Sequence, residues 1–574
     1  MNGYRNLFLL DIVLCITIAS MLMGCAEDAT KFGTGISIDQ ADVTEGSQTF
    51  QSFCSACHNF QQHGIGPQLG GLTRSIETSW IKAFINNPSQ LINQGDERSN
   101  KLLDEYGTRM PAFSHLSEEQ VDAVLAYMHS FGKPDNPDEK IDLAVVEDPV
   151  PESVPLSDVV VELELYAQLP VTADKSPLAR INKMDCSPDG RLFALDLRGY
   201  LYQIVNAKAE LYLDLKLHQP NFIDRPGQGT GFGSFAFHPD FSNNGLFYTT
   251  HSEKTGSAPS DDVLDESTPF AIQYVLKEWQ ARNPAANKYA GVSRELLRMD
   301  MVTGKHGFQE IAFNPASEEY DEDFGMLYLA IGDGGSVEDG LPAFSHHEGK
   351  HLWSSILRID PAGRDSENGN YGIPKDNPFV GQQHIRDEIW AYGFRNPNQL
   401  SWDYDGNMYA TDIGLRQIEE INKILPGQFY GWPIREGRFF LNHKGNMSKV
   451  YELPPDESEW DIRYPVVELD HDETRAIMGG EFQYGYQLPG LNETYLFGDI
   501  TSGKLFYAPA FEMSSNEISS VFEWRIAYEG NMTTLRELCD CSRFDLRFGQ
   551  DCDGNSYITS KADGKIYRLK GSVL

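Results

Sequence analysis

The sequence predicts a small all-α domain followed by a larger all-β domain folded as a six-bladed β-propeller. Two observations predict it: a thiol–thiol–imidazole motif within a helix-patterned stretch near the N-terminus, and a turn-and-strand phrase recurring six times through the rest of the chain. At 574 residues the chain exceeds one domain of ordinary size, so two different modules are expected.

The α domain rests on FCSACHNF, residues 53–60. Cys54 and Cys57 are spaced so that both thiols can add to the vinyl groups of one haem while the adjacent imidazole of His58 reaches the iron. A CxxC pair alone would equally suit zinc or thiol redox chemistry; the immediate His selects haem. An electron-transfer haem takes a soft sixth ligand, and RMPAF (109–113) offers Met110 on a stretch that Pro111 keeps out of a helix. GIGPQLGGL (64–72) is turn-rich enough to pass over a haem edge, and SEEQVDAVLAYMHSF (117–131) is an amphipathic helix opened by an S-x-x-Q capping box. Residues 44–133 therefore resemble a class I cytochrome c domain, which implies haem c on Cys54 and Cys57 with His58 and Met110 on the iron.

In front stands MNGYRNLFLLDIVLCITIASMLMGCAED (1–28), a basic residue, an apolar run and an LMGC box. This is the processing pattern of a bacterial lipoprotein, with a signal peptide over 1–25, acylation at Cys25 and a linker over 26–43. An uncleaved membrane anchor is the competing reading, and either one exports the chain. The expected location is the periplasm, lipid-anchored to the outer membrane. The formal net charge of −37 excludes nucleic acid partners and binding to anionic lipid through a basic face. Four further cysteines, Cys186, Cys539, Cys541 and Cys552, are available for disulfides whose pairing stays open.

Residues 134–158 are rich in Pro, Asp and Glu and read as an extended, self-repelling linker. Over 159–574 the recurring phrase is a Gly- or Asn-containing turn followed by an apolar, aromatic-bearing strand: DGRLFALD (189–196), NGLFYTTH (244–251), FGMLYLAIGDGG (324–335), DGNMYATDIG (405–414), NETYLFGD (492–499) and DGNSYITS (553–560). A sandwich or solenoid could use the same turns; six copies and the length favour a closed six-bladed ring.

SFAFHPDFSNNGLFY (234–248), IWAYGFRNPNQLSWD (389–403) and TDIGLRQIEEINKILPGQFYGWP (411–433) resemble, in order, signature segments of the soluble PQQ-dependent glucose and aldose-sugar dehydrogenases. PQQ is a tricarboxylated ortho-quinone, so its pocket needs cations and amide donors. The resemblance implies that Arg395 and Asn396 contact the cofactor, and that the main-chain carbonyls of Gly414 and Leu415 ligate Ca2+. It also implies that His306 is the general base beside Asp333, that Gln228 lies on the substrate side, and that Lys504, Arg543 and Arg547 lie where the family draws its later cations. The implied activity is oxidation of an aldose or related alcohol, with electrons passing to the chain's own haem and on to a downstream acceptor of the respiratory chain. The alternative is a cofactor-free propeller acting as a receptor or glycan-binding module with an attached cytochrome.

Overall fold

The computed structural model describes residues 35–573 apart from 56, 61–62, 64–65, 107–108, 134–141, 226–228, 263–269, 338–348, 444, 486 and 516. The signal segment with Cys25, and Gln228, lie outside the described residues. The chain divides into two compact units on either side of the 137/138 bond.

The first unit is helical. Helix α1 (Gln40–Phe53) begins at Asp39, whose carboxylate accepts the Ala41 amide at 2.9 Å. Three shorter helices follow, α2 (Thr78–Asn86), α3 (Pro88–Asn93) and α4 (Glu97–Tyr106). The last, α5 (Glu118–His129), carries the expected capping box, with Ser117 and Gln120 bonded to each other's amides at 3.2 and 3.0 Å. Helices α1 and α5 pack together around Phe50, Phe60, Val124, Leu125 and Met128.

The second unit is six four-stranded antiparallel blades. Blade 1 runs Ile181–Cys186, Leu192–Asp196, Tyr200–Val205 and Lys208–Asp214. Blade 2 runs Phe232–Phe237, Leu246–Lys254, Ile272–Ala281 and Gly291–Met301. Blade 3 runs Phe308–Phe313, Leu327–Ile331, Ser355–Ile359 and Ile389–Tyr392. Blade 4 runs Pro397–Trp402, Met408–Asp412, Ile418–Ile424 and Val467–Asp470. Blade 5 runs Ile477–Gln483, Thr494–Asp499, Leu505–Pro509 and Phe522–Tyr528. Blade 6 takes Leu546–Gln550, Ser556–Ser560 and Lys565–Val573 from the end of the chain. The first strands of blades 1 to 6 touch in order, and that of blade 6 returns to blade 1, which closes the ring.

Each copy of the recurring phrase is the second strand of one blade, and its turn has one left-handed residue. That residue is Gly190, Gly245, Gly325, Gly406 or Gly554, with φ between 69° and 85°, and in the fifth blade Glu493 at 57°.

The outer strand of blade 6 comes from the start of the unit. Leu156–Gln168 pairs antiparallel with Lys565–Val573, and its alternate residues Val159, Val161 and Leu163 are buried. Residues 134–158 are therefore not a linker throughout. Beyond the undescribed stretch, Val145–Val146 pairs with Val450–Tyr451 and adds an edge strand to a small sheet inserted in blade 4.

Among the described residues two disulfides form, Cys186–Cys552 and Cys539–Cys541. The first ties blade 1 to blade 6 across 366 residues, so it constrains almost the whole ring in the unfolded chain. Replacing Cys186 and Cys552 together by Ser should lower propeller stability by about 4 kcal/mol, read as a fall in the urea midpoint. An unchanged midpoint would show that the ring closes through its strand pairing alone.

Candidate functional site

In the α domain, the end of α1 sets the geometry of the haem motif. The amides of Cys57 and His58 both donate to the Cys54 carbonyl at 3.0 Å, so the three side chains stand on one continuing turn. His58 Nδ1 bonds the Pro67 carbonyl at 2.9 Å, which leaves Nε2 as the free ligating atom. Gly66 has to be glycine, because a Cβ there would collide with the His58 ring. These residues and Met110 line one cleft, whose remaining walls are Phe53, Phe84, Leu102, Leu103, Tyr106 and Phe113 among others. Burial lowers the His58 pKa against the opposing Pro67 bond, which keeps the imidazole neutral as a metal ligand requires. Burial and the neighbouring Cys57 push the Cys54 thiol up to about 12.

The propeller site follows from strand direction. Because each blade repeats one up-and-down order from the channel outward, the starts of the first strands and the ends of the second strands gather at one mouth. His306 stands before the first strand of blade 3, and Asp333 follows its second strand. Nδ1 of His306 meets Asp333 Oδ1 at 2.7 Å, and Asp333 Oδ2 accepts from Trp432 Nε1 at 3.1 Å. Asp333 also accepts the Gly335 amide and is fully buried. The bond assigns the proton to Nδ1, so Nε2 carries the lone pair. His306 holds φ at 46°, an unusual backbone state for a residue with a side chain, of the kind that collects at functional sites.

Arg395 and Asn396 open blade 4 next to this relay. The Asp333 amide donates to the Arg395 carbonyl at 2.9 Å, and the guanidinium lies 5.6 Å from the Trp432 ring centroid. Asp412 holds both backbone amides, at 2.9 and 2.6 Å, while burial and Glu420 push its carboxyl well above the ordinary range. Asn396 Oδ1 is buried without a partner among the described atoms. The guanidinium suits a ligand carboxylate and the orphaned amide oxygen suits a ligand N–H or O–H, so these residues fit PQQ, which carries both carboxylates and an N–H.

The expected calcium position does not fit in the same way. The Gly414 carbonyl accepts from Arg395 Nη1 at 2.6 Å, so the oxygen assigned to a cation already faces a guanidinium. Leu415 is buried, and Glu436 gathers the next three amides, those of Arg416, Gln417 and Ile418, at 2.8, 2.9 and 3.2 Å. Among the described residues no group of three or more His, Cys, Asp or Glu is spaced to hold a metal ion.

Two of the later cations are engaged elsewhere, Lys504 with Glu473 at 2.9 Å and Arg543 with Asp545, whereas Arg547 is buried at the mouth. Sequence reasoning missed Trp432, although FYGWP was in view, and missed Lys561, which directly follows the second strand of blade 6.

Residues 178–529 match the glucose/sorbosone dehydrogenase family, and residues 43–132 match cytochrome c. The chain is 30% identical to the HIPL2 protein of Arabidopsis thaliana over 397 residues, covering 61% of this chain and 54% of that protein. It is 26% identical to the human Hedgehog-interacting protein over 420 residues, 70% of this chain and 51% of the other. It is 40% identical to the aldose sugar dehydrogenase YliI of Escherichia coli K12 over 229 residues, 38% and 49% of the two chains. The chain thus spans about half the length of the curated relatives it matches. With the family match covering the greater part of a ring whose mouth carries the His306–Asp333–Trp432 relay, the chain belongs to the glucose/sorbosone dehydrogenase family and bears a cytochrome c domain in front of it.

Proposed function

We propose that the propeller is a PQQ-dependent dehydrogenase of an aldose or related alcohol, and that its electrons leave through haem c in the attached cytochrome domain. The observation that carries this reading is the 2.7 Å bond from His306 to Asp333 beside Arg395 and Asn396. It presents Nε2 as a base, and Asp333, itself held by Trp432, stabilises the imidazolium that forms when a sugar hydroxyl gives up its proton. Arg395 would hold a cofactor carboxylate, and Asn396 Oδ1 would accept from a donor of the cofactor. When bound, the ortho-quinone supplies the hydride acceptor. Cys54 and Cys57 would hold the haem through thioethers, with His58 Nε2 and Met110 on the iron. A tethered acceptor raises its own local concentration, which accounts for the fusion.

The similarity to a Hedgehog-interacting protein favours a second reading, a propeller that recognises a partner without turnover. Sugar-driven reduction of the haem separates the two. With PQQ supplied, an aldose panel should reduce the haem of the intact chain; His306→Asn should slow that by about 10²–10⁴-fold, the worth of a positioned base. Asp333→Asn should lower kcat with little change in KM, because it removes the group that orients the base. Normal haem reduction in the His306 variant would remove that residue from the mechanism, and no reduction by any sugar in the wild type would favour the binding module.

Met110→Ala should abolish the weak iron–sulfur absorption band of the oxidised haem and lower its potential, since thioether ligation favours ferrous iron. Survival of the band would place the sixth ligand elsewhere. We further propose export to the periplasm with Cys25 acylated; Cys25→Ser should move the protein from the membrane to the soluble fraction, and unaltered fractionation would refute it.

A further inference from the structure

First strands begin at the mouth, so the turns that lead into the second strands lie on the opposite face of the propeller. In two successive blades that turn lifts a tyrosine among carboxylates, as EEYDED (318–323) in blade 3 and DYD (403–405) in blade 4. Blade 5 adds Tyr484 at the same turn, and Phe511 just past its third strand, which ends on that face as well. Tyr320 is 93% exposed, Tyr404 82%, Phe511 74% and Tyr484 45%, so these rings are spent on solvent rather than on the core. Their loops touch. The Tyr404 amide donates to the Tyr484 hydroxyl at 3.1 Å, with the two ring centroids 5.9 Å apart, and the Ala510 amide donates to the Glu493 carbonyl at 2.9 Å. A Cβ on Gly406 would lie 3.8 Å from that of Ala316, which brings the Tyr320 loop alongside the Tyr404 loop. Contiguous exposed rings of this kind mark a surface that meets a partner, and Tyr and Phe are the side chains enriched where partners meet.

Charge selects the partner. Arg358 answers Asp323, and Asn407 and the Tyr409 hydroxyl take Asp403, but among the described residues Glu319, Asp405 and Glu493 have no ion pair. The one lysine near Phe511, Lys423, is spent on the Ser514 carbonyl at 3.0 Å. Burial raises the Tyr484 pKa against the opposing Tyr404 bond, and Asp403, Asp405 and Glu493 raise it further, so carboxylates from two loops act on that ring. An aromatic face is itself negative, and rings set among carboxylates attract cations twice over. A guanidinium meets both demands, because it stacks on a ring and pairs with a carboxylate in one plane. Nucleic acid and anionic lipid are repelled, as is a second copy of this chain, which brings the same net charge of −37.

We propose that the face away from the mouth docks a partner protein through an arginine-rich segment, whose guanidinium groups lie over Tyr320, Tyr404 and Phe511 and pair with Glu319, Asp405 and Glu493. Docking there leaves the mouth open to small molecules, and it owes nothing to the dehydrogenase reading.

The test is calorimetry of the full chain at about 0.15 M salt with octa-arginine, octa-lysine and the neutral glucan dextran as probes. One variant removes rings, Tyr404→Ser with Phe511→Ser, and a second removes charge, Glu319→Gln with Asp405→Asn and Glu493→Gln. A control, Asp158→Asn with Glu210→Gln and Glu529→Gln, removes the same charge from exposed positions elsewhere on the propeller. All these side chains are exposed or half-buried, so Tm should stay at the wild-type value and report an intact fold. Octa-arginine should bind the wild type more tightly than octa-lysine, and each patch variant should weaken it by about tenfold. The control should change it by less than about twofold. Equal losses in the control and the charge variant would show diffuse attraction to an acidic protein and overturn the docking face, as would octa-arginine affinity unchanged by loss of the rings, or no preference for arginine over lysine. Dextran binding that the ring variant abolishes, with octa-arginine indifferent to it, would give the face to a glycan instead. Self-association of the wild type that the ring variant abolishes, read by sedimentation, would give it to a second copy.

Discussion

The propeller depends on how its ring is closed. Six twisted blades leave one seam, and an open seam would expose a blade edge and let the channel splay. Here the last blade borrows its outer strand from the beginning of the unit, with Val161 and Leu163 buried against Tyr567 and Leu569. The Cys186–Cys552 bond spans the same junction. Everything at the mouth requires that closure, because the candidate groups stand on different blades and approach each other only when the ring is complete.

Closure also explains the electrostatics. First strands that begin at a common mouth bring Arg180, His306, Arg395 and Arg547 to one end of the channel, while Asp333, Gly414 and Lys561 arrive from the ends of second strands. The blade walls then remove these groups from water. Where a partner of opposite charge exists, as for His306 and Asp333, burial sharpens the pair. Where the partner is a neutral amide, as for Lys561 and Arg547, burial leaves donors unanswered.

The cytochrome domain reaches its site by shorter range. One helical turn orders Cys54, Cys57 and His58, and the Pro67 carbonyl then sets the imidazole. Only Met110 is brought in from afar, to the same cleft. Local order of this kind is why a CxxCH motif reads so directly as a haem site.

Features set by neighbouring residues can be read from the chain, whereas those set by distant residues cannot. The phrases from DGRLFALD to DGNSYITS determined six equivalent strands, because a left-handed turn and an alternating strand are local demands on chain chemistry. His58, Met110, Arg395 and His306 were legible for a related reason, each lying in a short motif. Other features depended on residues far apart in the chain. Strand 156–168 pairs with residues near the C-terminus, Cys186 with Cys552, and Val145–Val146 with a sheet inserted in blade 4. Trp432 serves Asp333 across 99 positions, Asn182 gathers Lys561 across 379, and Arg395 takes the Gly414 carbonyl that the motif alone assigned to a cation. Local sequence constrains turns and strands because their hydrogen bonds are near neighbours. Charge pairing at the mouth is settled by ring closure, which sets side by side residues whose separation along the chain carries no trace of the contact.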